Sequence, residues 1–64
     1  MTEKELLYLE DAIGHEQNII KIINDNINNL ENEELITFMN NELDIHNERC
    51  ELLINLLKEK VNGW

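Results

Sequence analysis

The side chains able to do chemistry are concentrated in one stretch of the chain's second half. Glu42, His46 and Arg49 follow one another at spacings of four and three, with Asp44 between them and Cys50 just beyond. Residues four apart share one face of a helix, so Glu42 and His46 would point the same way. In the first half, Glu16 stands where an apolar series is due a hydrophobic residue. A carboxylate or an imidazole buried alone is costly, whereas the two together can share a proton or hold a cation. Bundles of carboxylate-bridged metals take a Glu from one helix and a Glu and a His from another. Glu16, Glu42 and His46, doubled by symmetry, are therefore candidate ligands for iron, manganese or zinc. The plainer alternative is a structural polar layer of Glu16, His46 and Arg49 that fixes register, with no metal or other cofactor.

Other chemistries have thinner support. Cys50 falls on an apolar stripe and reads as a small buried residue. A reactive thiol wants a basic, exposed neighbourhood, and only Arg49 offers one. His15 is expected at a flank near Asp11, and Arg49 beside Glu42 or Glu16. Trp64 either docks at one end of the fold or lies loose. A phosphate-binding glycine loop, a serine nucleophile arrangement and a cysteine-pair metal knuckle are all missing from the 64 residues.

Two helices are needed to position these groups. Thr2-Glu3-Lys4-Glu5 has the form of a capping box just ahead of an apolar-periodic run. Leu6, Leu9, Ile13, Glu16, Ile20, Ile23, Ile27 and Leu30 then recur at alternating three- and four-residue spacings. That heptad stripe predicts one helix over about 3–29, with Gly14 its only weak point. Asn24, Asn26, Asn28, Asn29 and Asn32 crowd the next stretch, and Asn favours turns and caps. The turn is placed at about 30–32, with Asn32 as N-cap of a second helix over about 33–61. Its stripe runs Ile36, Met39, Leu43, His46, Cys50, Leu53, Leu57, and Asn62-Gly63 supplies the stop.

Two long helices joined by a short turn lie antiparallel. With the turn between Leu30 and Glu33, Ile23 meets Met39, Ile13 meets Cys50, and Glu16 meets His46 near mid-length. Each helix also carries a second apolar row: Tyr8, Ala12, Ile19 and Ile22 on the first, Leu35, Phe38, Ile45, Leu52 and Leu56 on the second. One seam cannot bury these rows as well. They are expected to form a homodimer interface, two hairpins making a four-helix bundle. The polar interruptions, including His15, Glu42 and Arg49, then cluster at one level.

Composition bounds what remains. The chain reads as a single all-α domain over 1–64, and so small a core supplies only about 3–5 kcal/mol without a staple or partner. One cysteine cannot form an internal disulfide, and its presence alone, with no leader, leads to the expectation of a reducing cytoplasmic setting. A net charge of −9 disfavours nucleic acid and anionic membrane surfaces as partners. Apolar runs such as Leu52-Leu53-Ile54 are far short of the ~20 residues of a membrane span.

Leu7-Tyr8-Leu9-Glu10-Asp11-Ala12-Ile13-Gly14-His15-Glu16 resembles the opening of small clostridial and bacillar proteins related to spore coat protein F. The resemblance continues through Glu34-Leu35-Ile36-Thr37-Phe38, His46 with Leu52-Leu53, and Gly63-Trp64. It implies a ferritin-like helical fold, a structural role without catalysis, and a spore-associated place or a protein partner in sporulation signalling. Ferritin-like metal proteins have Glu-x-x-His on the second helix; here Leu43 stands three before His46 and Glu42 is displaced by one. Asn40-Asn41-Glu42-Leu43-Asp44 is also similar to the Ser-Gln-Glu-Leu-Asp signature of small two-helix aspartyl-phosphate phosphatases. That resemblance would make Asp44 the functional residue of a sporulation regulator.

Overall fold

The computed structural model describes residues 1–62 as two long helices folded back on each other. Helix α1 spans Glu3–Asn26 and α2 spans Glu33–Asn62, with a short 3-10 turn at Ile27–Asn29 between them. There is no strand among the described residues. The hairpin is a rod, 48 × 15 × 12 Å in its principal extents. No described helix is long and apolar enough to cross a membrane.

The start of α1 is locally encoded. The Glu5 backbone N–H donates to the Thr2 hydroxyl at 3.1 Å, and the Thr2 backbone N–H donates to the Glu5 carboxylate at 2.9 Å. Both bonds satisfy amides that a helix N-terminus leaves without partners. These contacts with Thr2 also hold the Glu5 carboxyl below its ordinary value. At the other junction the Leu35 N–H donates to the Asn32 side-chain oxygen at 2.9 Å. Glu33 and Glu34 occupy the first turn of α2, where the helix dipole favours negative charge.

The end of α1 differs from the sequence reading. The α-helix stops at Asn26 instead of continuing to residue 29, and 27–29 tighten into 3-10 geometry. Asn26 Nδ2 donates to the Ile22 carbonyl at 2.7 Å, a side-chain bond that competes with the regular ladder. Leu30 then turns extended, so the reversal is made without a left-handed residue. Helix α2 runs through Asn62, one residue past the expected end. Gly63 and Trp64, and with them the expected stop and the docking of Trp64, lie outside the described residues.

Every residue of the two seam stripes is buried or half-buried. Ile13, Ile23 and Cys50 form the buried apolar core, and Glu16 is buried among them at 9% exposure. Cys50 is a free thiol at 7% exposure. Gly14 faces open space, so its lack of a side chain serves no close approach.

Candidate functional site

The two helices bring Glu16, Glu42, His46 and Arg49 to one level of the hairpin. Glu16 projects from the middle of α1 into the seam, and His46 meets it from α2, its Nδ1–H donating to Glu16 Oε2. The opposite ring nitrogen, Nε2, lies 3.5 Å from Glu42 Oε2 one turn earlier on α2. Arg49 Nη1 approaches the second Glu16 oxygen at 3.5 Å. The four side chains thus form a linear relay: Arg49, Glu16, His46, Glu42.

Burial grades along this relay. The side chains of Glu16 and His46 are 12% and 14% exposed, that of Glu42 is 33% and that of Arg49 is 55%. The hydrogen bond from His46 holds the Glu16 carboxyl below its ordinary value, outweighing burial, which pushes it up; Arg49 adds to the lowering. An ionised carboxylate only accepts, so the hydrogen on this contact belongs to Nδ1. Every buried side-chain nitrogen and oxygen among the described residues has a hydrogen-bond partner.

The geometry bears on the expected ligand set. Glu16 and Glu42 address opposite nitrogens of His46, and one metal ion can bind only one of them. Within a single hairpin the three therefore do not converge on a common point. Among the described residues no group of three His, Cys, Asp or Glu side chains is placed to hold a metal. Asp44, His15 and Asp11 are exposed, and none of them shares a hydrogen bond or ion pair with the relay.

The second apolar rows lie on one side of the hairpin. Tyr8, Ile22, Phe38, Ile45, Leu52 and Leu56 are exposed, Leu35 with them, while Ala12 and Ile19 are half-buried. Two shallow hollows join the rows. One, of about 220 Å³, has Ile22 and Ile23 on one wall and Leu35 and Met39 on the other. The next, of about 290 Å³, is lined by Ile19, Ile22, Phe38 and Met39 and closed by Glu42 and His46. The sequence pattern placed these residues on rows but carried no sign of the hollows, which depend on how far apart the helix backbones sit. Comparisons with protein-family models, with curated proteins and with solved structures find no match to this chain.

Proposed function

We propose that this chain is a non-catalytic structural or interaction protein whose hairpin pairs with a second copy into a four-helix, ferritin-like bundle. The observation that carries this reading is the apolar face. Tyr8, Ile22, Phe38, Ile45, Leu52 and Leu56 remain exposed, while among the described residues only Ile13, Ile23 and Cys50 are buried apolar ones. The exposed area is 5081 Å², against roughly 4,300 Å² for a compact monomer of the same mass. The excess, about 800 Å², is surface that an elongated rod of 48 × 15 × 12 Å leaves uncovered. The resemblance to spore coat F-like proteins supports a structural role in the same direction, in a spore layer or beside a protein partner in sporulation. Sedimentation equilibrium at micromolar concentration is expected to give twice the chain mass. A folded species at the single-chain mass would overturn the reading.

A second reading rests on the two carboxylates around His46. Pairing of two hairpins would bring two copies of Glu42 and His46 to one level, four donors where one chain has two. Protein incubated with ferrous iron, manganese(II) or zinc and then desalted would retain metal in fixed ratio to dimer, and His46→Ala would release it. Elemental analysis that finds no retained metal would sink this alternative.

A further inference from the structure

The exposed row of α2 is close to a palindrome of chemistry. Leu35, Phe38, Ile45, Leu52 and Leu56 fill five of seven positions at alternating spacings of three and four, and Glu42 and Arg49 fill the other two. Read outward from Ile45, each direction meets first a charge and then two apolar residues, and the two charges are opposite. A row built this way complements itself when a second copy is turned end for end.

We propose that a second copy of this chain covers the apolar face, its α2 lying antiparallel to the first across a two-fold axis beside Ile45. The proposal rests on the self-association reading above and adds its orientation and register. Glu42 then faces Arg49 of the second copy, and Arg49 faces its Glu42, the isologous pairing that a two-fold axis imposes. Ile45 meets Ile45, Phe38 meets Leu52, and Leu35 meets Leu56. On α1 the same axis sets Ala12 against Ile22 and His15 against Ile19. The axis falls near the middle of α2, which spans Glu33–Asn62, so the two rods overlap along nearly their whole length.

The charges decide between this arrangement and its competitors, which the apolar residues alone do not. A two-fold axis along the rod would instead lay α2 on α1 of the second copy. Glu42 would then be pressed against Ile19 and Ile22, and Arg49 against Ala12. Sliding one α2 along the other by about one turn would set Glu42 against Leu52 and Arg49 against Ile45. Either alternative takes charged groups out of water without an opposite charge across the interface, where removal from water is costly.

The in-chain relay strengthens the case. Arg49 reaches Glu16, Glu16 accepts from His46, and His46 reaches Glu42. Joining Glu42 to Arg49 of the second copy, twice, closes two relays into one ring of eight side chains around the axis. Arg49 is the most exposed member of the relay in the single hairpin, and this ring gives its outer side a carboxylate.

Charge reversal tests the register. Glu42→Arg and Arg49→Glu each place like charges opposite one another at both symmetry-related positions. Each variant alone is expected to self-associate at least about a hundredfold more weakly than the parent, read by sedimentation. An equimolar mixture of the two variants has one pair inverted and the other native, both attractive. It is expected to form a one-to-one dimer within about tenfold of the parent affinity. If a lone variant is too weakened to fold, helicity regained on mixing, read by circular dichroism, reports the same pairing. A mixture that associates no better than its components, or single variants that pair as tightly as the parent, would overturn this register. A folded parent at single-chain mass would overturn the self-association reading as well.

Discussion

Replacing Ile23 by alanine is expected to unfold most of the hairpin's population or to lower its melting temperature steeply. Ile23 is the most buried apolar residue, at 4% exposure, and it lies on the walls of both hollows. Truncating a buried isoleucine to alanine costs about 2–5 kcal/mol, part of it lost transfer energy and part the cavity left behind. The chain has no disulfide to offset the loss, and a core of this size supplies only about 3–5 kcal/mol. In a domain of 60–100 residues each kcal/mol moves the midpoint by about 4–8 °C, so a drop of at least about 8 °C is expected by circular dichroism. A variant melting within about 4 °C of the parent would show that the seam around Ile23 closes on itself and is not the anchor its burial indicates.

The second large effect concerns the polar layer, and its sign depends on how many partners are removed. His46→Leu alone leaves the Glu16 carboxylate buried with only the 3.5 Å contact to Arg49, and is expected to melt well below the parent. Glu16→Leu with His46→Leu removes both polar groups and fills the seam with apolar surface. It is expected to melt at or above the parent, because a buried ion pair seldom outperforms hydrophobic packing of similar volume. Acid sharpens the comparison. The Glu16 carboxyl is held below its ordinary 4.5 by the hydrogen bond from His46, so the folded state binds that proton more weakly than the unfolded chain does. Its contribution is complete above the ordinary value and disappears as pH falls through the lowered one. The parent should therefore lose more stability on acidification than the double variant. The lowered Glu5 carboxyl is common to both and cancels. Marked unfolding of the double variant at neutral pH would show that the layer does more than set register.

Much of this architecture was legible because a helix seam repeats. The alternation of three and four from Leu6 to Leu30 and from Ile36 to Leu57 named residues that are all buried or half-buried. The Thr2–Glu5 and Asn32 caps are local chemistry that a short stretch of sequence determines. The end of α1 was less legible: five asparagines mark a zone, and which one bonds back to the ladder depends on side-chain geometry that no spacing reports. The same limit applies in the site. Opposing stripes bring Glu16 to His46, but only the ring's orientation shows that Glu16 and Glu42 take different nitrogens. That distinction is what separates a relay from a three-donor ligand set.

The short reversal between the helices also has a consequence for the order in which the hairpin assembles. Pairs nearest the turn, such as Ile27 with Ile36, are close in sequence, so bringing them together costs little chain entropy. Each later pair, out to Leu6 with Leu57, closes a longer loop. Assembly is therefore cheapest as a zipper that starts at residues 27–36 and runs toward the chain ends. A zipper begun one turn out of step would pair apolar residues without penalty until it reached mid-length. There Glu16 would meet Leu43 or Cys50 in place of the His46 ring, and closure would stall. The polar level thus acts as a proofreading step placed halfway along the path.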